Sequence, residues 1–253
     1  LIYDTPAQRR RYFDIQISQL SISYVNDLQR FNLLLKKRNL YLKSIKSLES
    51  IDEVYFKILN QKISREAVKI YGIRTNFVKN VNDSISDIFC ELSGFKYKLE
   101  LVYKNNYFNS DDDSEHCFLE KLKKNIEKDF LYGATIIGPH RDDYYFLLNG
   151  KKLSVYGSQG QKRLAVLSLK IVESLIFKNY TGDYPVLLLD DVFSELDVDK
   201  KNRLIKYISN DTQTFITTTD LNMINGNLIK KAKVFNIVNG NIVDLKKEGM
   251  QNE

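Results

Sequence analysis

Residues 184–197 read Tyr-Pro-Val-Leu-Leu-Leu-Asp-Asp-Val-Phe-Ser-Glu-Leu-Asp, an aliphatic run that ends on two adjacent carboxylates. A strand that is apolar at every position has no face suited to water. It calls for cover on both sides, and sheets covered in that way are mostly parallel. The neighbouring segments agree: a helical pattern over 158–178 precedes the run, another over 199–208 follows it, and a strand pattern returns at 213–218. Strand, helix, strand in that order implies a parallel α/β sheet. Ligands of such sheets sit just beyond the carboxyl ends of the strands, which is where Asp190 and Asp191 stand. Two carboxylates there suit a magnesium ion and an attacking water, whereas a solvated acidic turn is the plainer reading; the dipeptide alone leaves both open.

Upstream the apolar period is helical. Phe13, Ile17, Leu20, Tyr24, Leu28, Phe31, Leu35, Leu42 and Ile45 follow three-and-four spacing and predict one long helix. A second stripe, from Val54 through Ile63, Ile70, Phe77 and Ile85 to Leu92, predicts another that stops at Gly94. No proline interrupts 7–92, so the turn is expected at 47–52, with Ser50 as the cap. The two helices are expected to pair antiparallel as an arm subdomain over 7–93, leaving 94–253, with 1–6, for an α/β lobe. The drift of the stripe between spacings leaves open whether the arm projects as a coiled coil or packs down.

After Gly94 the period falls to two at Tyr97, Leu99, Leu101 and Tyr103, a half-exposed strand. An acidic loop, Asp111-Asp112-Asp113, comes next, and Ser114 is placed to open a short helix whose apolar side is Phe118, Leu122 and Ile126. Strands at 144–148 and 151–155 flank Asn149-Gly150, the strongest two-residue hairpin signal, and a second hairpin is expected around Asn239-Gly240 from strands at 234–238 and 242–245.

Composition narrows the chemistry. Two cysteines, Cys90 and Cys117, in no Cys-x-x-Cys pattern argue against a disulfide framework or a thiolate zinc site. With two histidines in 253 residues, any metal is expected to be a hard ion on carboxylate and phosphate oxygen. No run nears the roughly 18 apolar residues of a membrane span. The formal charge of +6 favours polyanionic partners. Arg9, Arg10, Arg11, Lys36, Lys37 and Arg38 are the clusters that would touch a DNA backbone, against the simpler view that they are solvated helix faces. His140 and Arg141 follow a Gly-Pro turn and could face phosphate, yet Arg141 beside Asp142 and Asp143 is as readily a structural ion pair.

A second constellation precedes the carboxylates. Gly157-Ser158-Gln159-Gly160-Gln161 is a small-residue turn into a helix, which offers backbone N–H groups and a hydroxyl to a phosphate; an ordinary cap looks the same. The phosphate loop Gly-x-x-x-x-Gly-Lys-Ser/Thr is not found: before Gly150-Lys151 the first glycine is replaced by Tyr145.

Ser158-Gln159-Gly160-Gln161 resembles the signature motif of ATP-binding-cassette ATPases, Leu187-Leu188-Leu189-Asp190-Asp191 their Walker B strand, and Ser194-Glu195-Leu196-Asp197 their D-loop, in matching order and spacing. Within that superfamily the chain resembles the RecF proteins over nearly its whole length. The residues that carry this are Thr5-Pro6-Ala7-Gln8-Arg9-Arg10-Arg11-Tyr12-Phe13-Asp14, Gly138-Pro139-His140-Arg141-Asp142-Asp143 and the segment 188–197. The implied fold is an α/β cassette-type lobe with a parallel sheet plus an antiparallel two-helix arm. The start at Leu1 and the missing phosphate loop are expected to reflect a Walker A lobe lying upstream, without which this portion alone would be inactive.

The resemblance also implies a site. ATP would lie between two subunits, with Asp190 holding Mg2+ through water and Asp191 orienting or deprotonating the attacking water. Ser158, Gln159, Gly160 and Gln161 would close on the γ-phosphate from the opposite subunit, and Asp197 and Thr219 would border the nucleotide. Thr219 stands about where cassette ATPases commonly place a histidine, which implies slow hydrolysis. The implied function is recombinational DNA repair and replication-gap processing in the cytoplasm. Its partners would be duplex DNA and single-strand/duplex junctions, the RecO and RecR proteins and, in an ATP-dependent homodimer, a second copy. The alternatives are a non-enzymatic basic helical module that binds DNA or protein, and another SMC-like ATPase head.

Overall fold

Thr5 opens α1 (Pro6–Leu20). Its hydroxyl accepts from the Gln8 amide at 3.3 Å while the Gln8 side chain accepts from the Thr5 N–H at 2.9 Å, and Pro6 fills a position where no N–H is needed. The single helix expected over 13–45 is broken at Ser21, which turns extended (φ −146°, ψ 107°) and caps α2 (Ile22–Ser44) by accepting from Tyr24 N at 3.2 Å. A serine offers the backbone an alternative hydrogen bond, and a one-residue break leaves the apolar spacing almost unchanged. The structure is a computed structural model that describes residues 1–108, 114–207, 212–221, 229–230 and 232–243.

α3 (Glu53–Asn82) starts two residues later than expected. Asp52, not Ser50, is its cap, accepting from Tyr55 N at 3.0 Å, while Ser50 closes a 3-10 turn, Leu48–Ser50. The single second helix expected as far as Leu92 is likewise broken, at Asp83 and Ser84, and its remainder, α4 (Ile85–Ser93), ends as expected at Gly94 in the left-handed region (φ 79°). α2 and α3 run antiparallel: Tyr41 meets Tyr55, Arg38 meets Asn60, Asp27 meets Lys69 and Tyr24 meets Arg74, so one number falls as the other rises. These helices pack down and do not project. α3 lies against β1 (Leu99–Lys104), and α1 against β2 (Asp143–Leu148).

β1, β2 and β3 (Lys151–Lys152) form an antiparallel sheet in that order, with Leu101 opposite Phe146. The hairpin falls at Asn149 (φ 49°) and Gly150 (φ 76°), the paired positive φ values that an Asn-Gly turn supplies. The strand expected through 155 stops at Lys152, because Leu153–Tyr156 coils into the short helix α7 and buries Leu153. Gly157 closes that coil so tightly that an added Cβ would sit 2.7 Å from the Leu153 carbonyl oxygen. Ser114 opens α5 (Glu115–Lys124) with Phe118 and Leu122 buried, but Ile126 starts a separate helix, α6 (Ile126–Tyr132). α8 (Gln159–Thr181) packs against α4. The acidic stretch 111–113 lies outside the described residues.

Compactness divides the chain into two units, Leu1–Tyr184 and Pro185–Glu253. The elements above belong to the first. In the second, β4 (Leu187–Asp190) and β5 (Thr214–Thr217) pair in parallel, as the strand-helix-strand order predicts, with α9 (Val198–Tyr207) between them in sequence. The expectation that this strand is buried on both faces is corrected: Leu189 is 4% exposed, whereas Leu188 is 72% and Phe215 52% exposed. Alternate side chains of a two-stranded pair face opposite ways, and among the described residues only one way is covered. β6 (Asn236–Val238) and β7 (Asn241–Val243) form the hairpin expected at Asn239-Gly240; residues 244 and 245, and Ile208 after α9, lie outside the described residues. Among the described residues no helix is long and apolar enough to cross a membrane.

Candidate functional site

The parallel register sets Thr217 directly beside Asp190. The Thr217 hydroxyl donates to Asp190 Oδ1 and accepts from the Asp191 N–H at 3.0 Å, so one side chain steadies both aspartates. Asp191 adopts left-handed backbone angles (φ 48°, ψ 24°) and turns the strand into the 3-10 turn Val192–Glu195. That conformation costs a residue with a Cβ roughly 1 kcal/mol and is tolerated best by Asn and Asp. Strain of this kind concentrates where a site requires it. Both carboxylates are exposed at the end of β4. The sequence does not single out Thr217, because in Thr217-Thr218-Thr219 only the register of the sheet tells which threonine faces Asp190.

The chemistry of these donors fits magnesium. That ion takes one or two carboxylates, keeps several waters and completes its shell with phosphate oxygen. Among the described residues no group of three His, Cys, Asp or Glu side chains is gathered as a protein-only cage.

Asp197 is the cap of α9. Its carboxylate accepts from Lys200 N at 2.9 Å and pairs with the Lys200 ammonium, and its carbonyl accepts from Lys201 N at 2.9 Å. The Lys200 hydrogen bonds hold its pKa below the usual carboxylate range. Thr219 is exposed just after β5, next to a turn in which the Thr218 hydroxyl donates to Asp220 O at 3.0 Å.

In the first unit, Ser158 begins α8 through a reciprocal pair of bonds. Its Oγ accepts from Gln161 N at 3.2 Å, and Gln161 Oε1 accepts from Ser158 N at 2.9 Å. The hydroxyl is used as an acceptor, so its own proton remains available to a ligand. Gln161 is occupied by the cap, and Gln159 Oε1 accepts from the Tyr3 hydroxyl at 3.2 Å. Gly160 has open space where a Cβ would stand. A hydroxyl and unobstructed backbone therefore face outward, while the two glutamine side chains shape the turn.

The basic clusters separate sharply. Arg11, Lys36 and Lys37 are exposed. Arg9 forks onto the Asp143 carboxylate with two 2.8 Å bonds, and Arg10 donates to the Asp142 carbonyl at 2.6 Å. Arg38 corrects the sequence expectation: it is fully buried, donating to Asp129 Oδ2 and Thr135 Oγ1 at 2.7 Å and to Asn60 Oδ1 at 2.8 Å, and has no surface to offer DNA. Arg141, considered for an ion pair with its neighbours, has an exposed side chain, because Asp142 and Asp143 are taken by Arg74 and Arg9. His140 Nε2 lies 2.8 Å from the Thr135 carbonyl, an acceptor, so Nε2 carries the proton and burial drives the ring pKa down to about 4.

A parallel strand pair that delivers two aspartates past its end in one unit, and a serine-capped helix start in the other, are each features of ATPases of the ATP-binding-cassette type; that is the class they define. No protein-family model matches the chain. It is 36% identical over 248 residues to the DNA replication and repair protein RecF of Ligilactobacillus salivarius strain UCC118, covering 96% of this chain and 65% of that protein. To the RecF of Pediococcus pentosaceus strain ATCC 25745 it is 36% identical over 252 residues, 98% of this chain and 67% of the relative. A solved structure of the recombination mediator protein RecF with ATPrS in the RecFOR pathway matches with a TM-score of 0.80 at 36% identity, over 97% of this chain and 65% of that one. The chain belongs to the RecF family, and it spans about two thirds of the length of these relatives.

Proposed function

We propose that the chain is the signature and Walker B portion of a RecF-type ATPase that closes on DNA as an ATP-dependent homodimer during recombinational repair and replication-gap processing. The observation that carries this reading is the Thr217 bridge, which holds Asp190 and a strained Asp191 at the carboxyl end of β4. In this reading Asp190, its rotamer set by Thr217, holds Mg2+ through water, and Asp191 orients or deprotonates the attacking water. The magnesium ion, when bound, neutralises charge on the phosphates. Ser158 donates its free proton to the γ-phosphate of ATP carried by a second copy, and the bare backbone at Gly160 lets that phosphate approach the positive end of α8. Gln159 and Gln161 act through the shape of the turn, and Asp197 and Thr219 border the nucleotide.

Residues 7–93 form the helical subdomain of this reading and 94–253, with 1–6, the lobe. Arg11, Lys36 and Lys37 meet the DNA backbone at duplexes and single-strand/duplex junctions, with RecO and RecR as protein partners in the cytoplasm. Ser158→Asp tests the reading in the full-length protein, because aspartate caps a helix as well as serine while repelling a phosphate. ATP-driven dimerisation is expected to vanish with the thermal midpoint unchanged, and Asp191→Asn to slow hydrolysis by about 100-fold while prolonging the dimer. Dimerisation of Ser158→Asp equal to that of the parent would overturn it.

A further inference from the structure

Lys162 stands in the first turn of α8, where a cation is electrostatically misplaced, since a helix N-terminus is the positive end and this turn holds no acidic residue. Its partner is a phenol. Lys162 Nζ donates to Tyr3 Oη at 3.1 Å and lies 4.9 Å from the centre of the same ring. Tyr3 Oη in turn donates to Gln159 Oε1 at 3.2 Å, so one tyrosine holds two side chains of the turn that Ser158 caps. Hydrogen bonding from Lys162 lowers the Tyr3 pKa. Tyr3 is 66% exposed, and contacts so open to water add little to folding stability. What they do is restrict Lys162. An ammonium has three donors; Tyr3 takes one, and the chain segment before α1 thereby keeps the others beside the start of α8.

We propose that Tyr3 is a positioning residue that holds Lys162 so that its ammonium joins the Ser158 hydroxyl on the terminal phosphate of a nucleoside triphosphate carried by a second copy. This rests on the nucleotide reading given above. A free lysine loses rotamer freedom when it grips a phosphate, and one already leaning on Tyr3 loses less. The gain therefore falls on the complex with ATP, whose terminal phosphate ADP lacks, and not on the fold.

The test is sedimentation of the full-length protein titrated with ATP and, separately, with ADP. Tyr3→Ala and Lys162→Gln are each expected to weaken ATP-driven dimerisation about tenfold, and Tyr3→Phe, which keeps the ring but not the hydroxyl, about threefold. Lys162→Arg restores most of the loss. The double variant Tyr3→Ala with Lys162→Gln is no weaker than Lys162→Gln alone, since Tyr3 acts through Lys162. Thermal midpoints and the ADP titration stay unmoved. Full ATP-driven dimerisation in Lys162→Gln, or additive losses in the double variant, overturns the inference, as does a lowered midpoint in Tyr3→Ala with Tyr3→Phe normal. Normal dimerisation of Ser158→Asp in the same assay instead overturns the nucleotide reading.

Discussion

Arg74 Nη1 stands 2.7 Å from Asp142 Oδ2, and neither side chain has more than 1% of its surface exposed. The pair is the centre of a buried polar network that joins four elements and a turn. Arg74 on α3 also donates to Tyr24 Oη of α2 at 2.9 Å, to Asp14 Oδ1 of α1 at 2.8 Å and to the Pro139 carbonyl at 2.8 Å. Tyr103 of β1 donates to the same Asp142 carboxylate, and so does Tyr107 at 3.0 Å. Burial pushes the Asp142 acid up to about 6 against the pull of Arg74, consistent with its second oxygen being buried without a partner among the described residues.

Removing one member of such a pair leaves a buried charge uncompensated. Arg74→Ala is expected to destabilise the fold by about 3–5 kcal/mol, read from urea denaturation. Arg74→Lys recovers only a minor part, because an ammonium cannot fork toward Asp142, Asp14 and Tyr24 at once.

The basic run on α2 is expected to split by function. Arg38→Lys, which forfeits the fork to Asn60, Asp129 and Thr135, costs about 2–4 kcal/mol of stability, since hydrogen bonds to charged groups are worth about 1.5–3 kcal/mol each. Lys36→Glu with Lys37→Glu changes stability by about 0.5 kcal/mol or less, as surface substitutions do, and on the proposed DNA-binding reading is expected to lower DNA affinity and flatten its salt dependence. Denaturation curves and DNA titrations at two salt concentrations check both.

His140 gives the pH dependence a definite sign. A ring whose pKa is about 4 in the fold and 6.5 unfolded loses stability as pH falls through that window, because the unfolded chain binds the extra proton. His140→Gln, which can still donate to the Thr135 carbonyl, has no such loss. The parent therefore loses stability relative to the variant from neutral pH down to pH 4, by about 3 kcal/mol at the limit. Asp142 acts in the opposite sense, its raised pKa favouring the fold below about 6, but it is present in both proteins and cancels in the difference. Denaturation midpoints of the two at several pH values measure it.

Thr217→Val removes the hydroxyl that binds Asp190 and Asp191 while keeping the branched shape suited to β5. On the proposed nucleotide reading, ATP hydrolysis by the full-length protein is expected to fall about tenfold or more with ATP binding largely retained, since a misplaced Asp190 or Asp191 is what the variant produces. Thr217→Ser, which keeps the hydroxyl, restores most of the rate; steady-state kinetics separate the two.

Much of this molecule follows from neighbours in the chain. Thr5, Ser114 and Ser158 cap helices because each has its partner three residues on, and Gly94 and Asn149-Gly150 turn the backbone because their conformational freedom is local. The parallel pair ending on Asp190-Asp191 is legible for the same reason: an aliphatic run followed by helix and strand admits few arrangements. The breaks at Ser21 and Asn125 were not legible, since a one-residue interruption scarcely disturbs an apolar stripe.

What the sequence by itself determined is therefore the helical or extended type of most segments, the caps and turns whose bonds are local, and the two motifs that mark the family. The tertiary structure alone decided which charges are structural. Lys37 and Arg38 are adjacent in one basic run, yet Arg38 is buried because Asp129, 91 positions away, comes to lie against it, and Arg74 becomes a hub only because Asp142 arrives from 68 positions away. In the same way Thr217, 27 positions from Asp190, becomes part of the site only through the parallel register. Caps and turns depend on bonds that span a few residues, whereas the burial of a charge depends on its desolvation and on partners that only the folded chain brings together.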